Sequence, residues 1–332
     1  MRAWELSRPG PIHGGPLEFV DKAPPEPSAG EVRVRVAACG VCRTDLHIVE
    51  GDLPEHRPRV VPGHQAVGMV DALGPGAHRF GVGDRIGIAW LRHTCGRCRF
   101  CTRGLENLCT DALFTGWDAD GGYAEYAVVP ESFAYAIPAA FDDEHAAPLL
   151  CAGIIGYRAL KKAGVGEGVR LGIYGFGSSA HIACQVAAHL GARVHVVTRS
   201  ERARKLATRL GAVSARPPEV GPPEPLEGAV LFAPSGDVVP PTLAGLDRGG
   251  TLAIAGIHLS RVPPLDYERH LFGERTITSV MANTRADGEE LLEIASRIPV
   301  ETTTTAFALA DADNALRALS EGALAGAAVL VM

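Results

Sequence analysis

Between Cys39 and Gln65 the sequence CGVCRTDLHIVEGDLPEHRPRVVPGHQ brings Cys42, Thr44 and His47 close together, and a second histidine, His64, follows a Pro-Gly turn. Cysteine and histidine are side chains that zinc favours, and an open zinc site needs only three protein ligands. A second stretch, CGRCRFCTRGLENLC, spaces Cys95, Cys98, Cys101 and Cys109 as C-x2-C-x2-C-x7-C. The short gaps let successive thiolates turn onto one ion, and the fourth closes a tetrahedron. Four thiolates leave no position for a substrate, so this site reads as structural. Iron–sulfur ligation uses similar spacings and stays open as an alternative. A third stretch, YGFGSSA, fits G-x-G-x-x-A with Gly175, Gly177 and Ala180. The first glycine permits a turn, the second lets a pyrophosphate approach the backbone, and the third position must be small for helix-on-strand packing. The amino terminus of the following helix offers unpaired N–H groups to the phosphates.

The elements that must position these residues fall into two sets. EVRVRV, from Glu31 to Val36, alternates charged and apolar residues as a half-buried strand does. Short strand-like runs follow in VVPGHQAVGMVDALG, DRIGIAW and GGYAEYAVVP, separated by Gly and Pro, which predicts a β-rich, partly barrel-like domain ending near Leu150. The rhythm then changes. VRLGIY leads into the glycine turn, SSAHIACQVAAHLGA reads as a helix, RVHVVTR as a strand and SERARKLATRLGA as a helix with Ser200 as N-cap. After a proline-rich connection come the apolar runs GAVLFAPSG, TLAIAGI and ERTITSVMA. Strands this apolar are buried on both faces, as in a parallel sheet covered by helices. The fold class is therefore α/β: a β-rich domain over 1–150, completed by 282–332, and a doubly wound parallel-sheet nucleotide domain over 151–281. The closing segment holds the helices ADGEELLEIASR and ADADNALRALSEG and the strand GAAVLVM.

Composition sets bounds. The chain has 332 residues, enough for two domains, with 46% hydrophobic and 21% charged residues, as in ordinary soluble globular proteins. A net charge of −6 gives no reason to expect nucleic acid or a membrane surface as partner. The opening MRAWELSRPG has no signal or transit character, and no run is long and apolar enough for a membrane helix. Eight cysteines in such a chain favour metal ligation in a reducing compartment, so a cytoplasmic location is expected.

Together the stretches CGVCRTDLH, VPGHQAVG, the cysteine run, PLLCAGIIGYRAL and YGFGSSA resemble the zinc-dependent alcohol dehydrogenases of the medium-chain dehydrogenase/reductase superfamily. The resemblance spans the whole chain. It implies a catalytic zinc held by Cys42, His64 and Cys151 beside the four-cysteine zinc, hence two ions per chain. Cys39 and Cys184 are left as core thiols, and His13 and His56 as surface or structural. The implied reaction is hydride transfer between a nicotinamide and an alcohol or aldehyde. Thr44 accepts the alcohol proton and passes it through the cofactor ribose to His47 and solvent. Asp45 holds His64 by its free ring nitrogen, as metal-bound histidines usually require. Two departures stand out. Gln65 replaces the family's usual Glu after the ligand His, and Ala327 stands where members often carry a phosphate-touching Arg. Trp90 aligns with an aromatic wall of the alcohol pocket, and Val49 and Leu53 with its narrowing positions, which favours medium aliphatic or aromatic substrates over ethanol. A homo-oligomer, dimer or tetramer, is expected.

Cofactor choice is read at the end of the second nucleotide-domain strand, RVHVVTRSER. NAD-specific folds usually place Asp or Glu there to bind the ribose hydroxyls. Here Thr198 cannot repel a 2′-phosphate, and Arg199 and Ser200 follow, with Arg202 and Arg204 nearby; NADP(H) is expected over NAD(H). Glu201, among them, would oppose a phosphate if it pointed inward. Three other readings compete. A polyol or sugar dehydrogenase often has Glu as zinc ligand where this chain has Cys151. A zinc-ribbon binding module without catalysis fits the cysteine run but not the rest. A zincless quinone-reductase-like protein would lack Cys42, His64 and Cys151.

Overall fold

The computed structural model describes residues 1–324 and 326–332. Two compact units emerge: Met1–Cys151 with Ala282–Ser296 and Glu301–Met332, and Ala152–Met281 with Arg297–Val300.

The first unit is built on a seven-stranded mixed sheet. Its axis is the strand Glu31–Val41, whose alternating start buries Val32, Val34 and Val36 and turns Glu31, Arg33 and Arg35 outward. This strand pairs antiparallel with Ala66–Leu73, with Tyr126–Pro130 and with Ala327–Val331. Pairing opposes Cys39 to Ala66 on one side and to Leu330 on the other, so the strand end before Cys42 and the strand start after His64 are neighbours. Arg85–Ile88 and Ala134–Ala136 extend one edge, and Thr304–Ala308 lies parallel beside Ala327–Val331. The amino-terminal hairpin Arg2–Leu6/Leu17–Asp21 forms a separate two-stranded sheet.

The second unit is a six-stranded sheet, parallel throughout. Its order is Ser214–Arg216, Arg193–Val197, Arg170–Tyr174, Leu226–Leu231, Leu246–Ile254, Thr276–Ser279. Counted along the chain this is 3-2-1-4-5-6, the doubly wound nucleotide-binding arrangement, with its topological switch beside the first strand. Leu171, Ile173, Val194, Val196, Ala229 and Val230 are almost wholly buried, as expected of strands covered on both faces. Gly172 lies where a Cβ would come within 2.4 Å of the Leu226 side chain. The helices Ser178–His189 and Glu201–Arg209 follow their strands, and Ser200 caps the second by accepting from the Ala203 N–H at 3.2 Å.

Candidate active site and metal centres

Cys42 is the N-cap of the helix Arg43–Glu50 and leaves the strand Glu31–Val41 directly. That helix places Asp45 one turn in, fully buried. Its carboxylate accepts from the Cys42 N–H at 2.9 Å, the Gly63 N–H at 3.1 Å and the Tyr123 hydroxyl at 3.2 Å, and pairs with His64 Nδ1 at 2.8 Å. A buried charge is tolerated when it is so fully bonded. With Nδ1 committed to Asp45, His64 presents Nε2, which lies 3.3 Å from Cys151 Sγ; Cys151 Sγ lies 3.8 Å from Cys42 Sγ. Thr44 is buried, with its hydroxyl 3.8 Å from Cys42 Sγ.

These distances test whether the donors suit a zinc ion. With Zn–S near 2.3 Å, tetrahedral geometry separates two sulfurs by about 3.8 Å, which is the spacing found. Two thiolates and an imidazole are also zinc's preferred chemistry, and three donors leave one position open. The bond to Cys42 and then burial push the Cys151 thiol up, whereas the bond to Cys151 and the contact with His64 hold Cys42 well below the usual thiol range. Burial alone would lower His64. Asp45 and then Cys42 outweigh it and carry the imidazole up to about 10.

The four-cysteine lobe is self-contained. Cys98 and Cys101 sulfurs are 3.5 Å apart and Cys95 and Cys109 sulfurs 3.6 Å, all four within 4.8 Å of one another. So tight a set has the spacing that a single tetrahedral ion would require, while ligands of an iron–sulfur cluster stand apart by the cluster's width. N–H groups of Cys98, Cys95 and Asp111 each donate to a sulfur at 3.4 Å, which favours thiolates. Backbone N–H groups bring Cys98 down to about 6, and burial with the Cys98 thiolate pushes Cys101 up to about 11. Glu106, between the third and fourth cysteines, accepts from Arg285 through the backbone N–H at 2.7 Å and the guanidinium at 2.7 Å.

Beside His64 stands an aromatic tier. Trp90 meets the His64 ring edge-on at 4.9 Å and stacks on Phe114 at 4.9 Å and Trp117 at 5.9 Å. His56 stacks on Trp117 at 3.7 Å and pairs with Asp118 at 2.8 Å. Leu53 is half-buried and packs on the core, and Val49 is fully buried within it, presenting no surface. Gln65 is buried too, its side chain lying where a Cβ on Gly40 would stand 2.8 Å from Oε1. His47 pairs through Nδ1 with Asp52 at 2.7 Å. Tyr123, Trp117, Asp52 and Glu106 were not singled out from sequence. Each acts through a contact distant in the chain or across a turn, with no spacing to mark it.

In the second unit, Gly175 has φ 85°, and a Cβ there would meet the Ala233 N at 2.9 Å. Gly177 caps the helix Ser178–His189 with open space where its Cβ would be, so the cradle exists because the side chain is missing. Ala180 is fully buried. These are the properties a pyrophosphate cradle requires. Thr198 is half-buried at the strand end, and Arg199 and Arg202 are exposed. Arg204 is turned back, donating to the carbonyls of Thr198 at 2.9 Å and Arg199 at 2.7 Å, and Glu201 pairs with Lys205 at 2.9 Å. Ala327 is buried at the start of its strand.

An open two-thiolate, one-imidazole centre in one unit and a parallel-sheet nucleotide cradle in the other define a metal-assisted, dinucleotide-linked oxidoreductase class. Residues 28–139 match the Alcohol dehydrogenase GroES-like domain and residues 180–297 the Zinc-binding dehydrogenase domain. The chain is 56% identical to the probable alcohol dehydrogenase AdhA of Mycobacterium tuberculosis, covering 100% of this chain and 97% of that one. It is 35% identical to an alcohol dehydrogenase of Geobacillus stearothermophilus, over 95% of each. A cobalt- and zinc-bound thermostable alcohol dehydrogenase from Pyrobaculum aerophilum superposes with a TM-score of 0.90 at 26% identity, covering 100% of this chain and 99% of the other. The chain belongs to the zinc-binding alcohol dehydrogenase family of the medium-chain dehydrogenase/reductase superfamily. Its reaction class is alcohol dehydrogenation.

Proposed function

We propose that this enzyme is a two-zinc, NADP(H)-preferring alcohol dehydrogenase and aldehyde reductase for medium aliphatic or aromatic substrates. The reading rests above all on the three-donor set Cys42, His64 and Cys151, with its ring nitrogen fixed by Asp45. When bound there, zinc supplies a Lewis acid that makes an alcohol hydroxyl easier to deprotonate, and a nicotinamide supplies the hydride acceptor. The chain's own residues do the rest. Asp45 keeps His64 in the tautomer that leaves Nε2 for the ion. Thr44 receives the hydroxyl proton, and His47 releases it to water. In this reading the four-cysteine site carries a structural ion, residues 1–150 and 282–332 together with Cys151 carry both zinc sites, and the rest of 151–281 binds the dinucleotide.

Several observations support the finer points. The tier of Trp90, Phe114 and Trp117 next to His64, with Leu53 nearby in sequence to His56, favours flat or extended apolar substrates. The strand end at Thr198 carries no acid, Arg199 is exposed, and Glu201 is drawn off by Lys205, which favours a 2′-phosphate. All eight cysteines are free of disulfides, as a cytoplasmic setting favours. Among the described residues no helix is long and apolar enough to cross a membrane. The edge strand Thr276–Ser279, with exposed Ile277, Phe272 and Met281 about it, favours assembly with further copies of the chain. The test is a screen of alcohols with NADP and NAD, and of aldehydes with the reduced forms. Turnover of benzylic and medium-chain substrates, faster with the phosphorylated cofactor, is expected. A preference for polyols would overturn the substrate reading.

A further inference from the structure

We propose that His56 is a positioning residue for the substrate wall: clamped by Asp118, it closes a column of rings that runs through Trp117 to Trp90 and holds the Trp90 face beside the metal donors. The inference rests on the reading of Trp90 as one wall of an apolar alcohol pocket and adds what fixes that wall. The rings stand in sequence. His56 lies on Trp117 at 3.7 Å with 15° between the planes, and Trp117 lies on Trp90 at 5.9 Å with 13°. Trp90 meets His64 edge-on at 4.9 Å. Phe114 fills the flank, 4.9 Å from Trp90 and 6.0 Å from Trp117.

The backbone and the rings of this column are held by different means. Residues 115–123 are tied to the turn before His64 by N–H groups of Gly121, Gly122 and Tyr123, which donate to the carbonyls of Val61, Gly63 and Pro62 at 2.7, 2.9 and 2.9 Å. At Gly116, with φ 79°, a Cβ would stand 2.9 Å from the Gly63 N. These contacts fix the Trp117 backbone and leave the choice of its rotamer to side-chain contacts. Those come from residues 51–59, a loop without helix or strand. Trp117 Nε1 donates to the Pro54 carbonyl at 2.8 Å, and His56 covers one face of the ring. Asp118 then locks that loop to the column: Oδ1 lies 2.8 Å from His56 Nδ1, and Oδ2 accepts from the Phe114 N–H at 2.8 Å. An ionised carboxylate only accepts, so His56 Nδ1 carries the hydrogen. The Asp118 side chain is 14% exposed and that of His56 38%, which puts the clamp at the outer end of the column. Neighbouring charges have other partners, Arg57 facing Asp120 at 3.4 Å and Arg59 facing Glu5 at 2.8 Å. Without His56, Trp117 can change rotamer and Trp90 loses the ring behind it. A flat substrate gains from a fixed aromatic face, whereas ethanol has little area to lose.

The experiment compares wild type with His56→Ala, His56→Phe, Trp117→Ala and the double variant His56→Ala/Trp117→Ala, all at equal zinc content and one pH. It reads KM and kcat for benzyl alcohol and ethanol. With no substrate present, it also reads solvent exchange of the Trp117 indole N–H by NMR, a resonance identified by its absence from Trp117→Ala. His56→Ala should speed that exchange and raise the benzyl alcohol KM, each by about fivefold, the worth of a part-exposed pair together with a ring contact. Its kcat and both ethanol constants should stay within about twofold of wild type, because the lost binding is shared by ground and transition states. His56→Phe keeps the ring contact without the carboxylate bond and should fall between. In the Trp117→Ala background His56→Ala should change nothing further, as expected of a residue that acts through another. Unmoved indole exchange, an equal loss for ethanol and benzyl alcohol, or the same loss in both backgrounds would overturn the inference. A wild type whose KM for benzyl alcohol is no lower than for ethanol would instead remove the substrate reading, whatever the indole exchange does, and the role of His56 in it.

Discussion

Asp45 touches no metal in the proposed centre, yet the three donors depend on it. Its carboxylate joins the Cys42 backbone, the Gly63 backbone, His64 and Tyr123, so it ties the helix start to the loop that carries the imidazole. The cysteines and His64 were legible because zinc accepts few residue types. Tyr123 and Asp52 were not, since a hydroxyl or carboxylate that serves another side chain across the fold leaves no pattern in the sequence. The two metal sites should respond differently to losing one sulfur. Cys42→Ser should remove about half the zinc and nearly all activity, while the fold persists. Cys98→Ser should lower the melting temperature first, because a closed structural site contributes folding free energy. Elemental analysis of the wild type returning one zinc per chain, or iron, would refute the two-ion reading.

Among the elements, strands with an internal pattern were legible and those completed by partners were not. The alternation of Glu31–Val36 and the apolar runs of the parallel sheet announced themselves. The hairpin Arg2–Leu6/Leu17–Asp21 and the strand Thr304–Ala308 did not: five residues each, they gain their place by pairing, the last with Ala327–Val331. The end of the strand Arg193–Val197 bears on cofactor choice. Thr198→Asp/Arg199→Ala should shift the kcat/KM ratio toward NAD by about ten- to a hundredfold, the worth of one charge-assisted contact. Equal or better use of NADH by the wild type would overturn the NADP reading. A second element-level test concerns the lobe that holds the four cysteines, which Glu106 ties to the helix Arg285–Arg297. Burial would raise the Glu106 carboxyl, but the Arg285 bonds outweigh it and hold it below the usual range. A carboxyl lowered on folding contributes stability that is fully present above its unfolded pKa of about 4.3 and is lost as pH falls through the folded one. Glu106→Gln should therefore cost about 1 kcal/mol at neutral pH, and the gap in urea midpoint from the wild type should close toward pH 3. A gap that persists there would show that packing, not charge, holds the lobe.

At the scale of the molecule, the order 3-2-1-4-5-6 was implicit in the alternation of strands and helices, but what the last strand leaves uncovered was not. Thr276–Ser279 pairs on one side with Leu246–Ile254 and is one of the sheet's two outermost strands among the described residues. Monomers usually blunt such an edge with charge, proline or a covering element. Here it carries TITS, with Ile277 38% exposed, and around it Phe272, Tyr267 and Met281 are each more than half exposed. Scattered apolar residues are ordinary on a surface; several flanking one unpaired edge are not. Edge-to-edge pairing of two copies would satisfy the free backbone groups and cover these side chains at once, and a symmetric pair meets through the same strand on both sides. The wild type should therefore sediment as a dimer or tetramer. Ile277→Lys with Phe272→Asp should reduce it by half or to monomer while leaving zinc content unchanged, because neither residue lies in the unit that holds the metal donors. A wild type that sediments as a monomer at micromolar concentration would rule out the pairing, and a double variant that keeps its assembly would move the interface elsewhere.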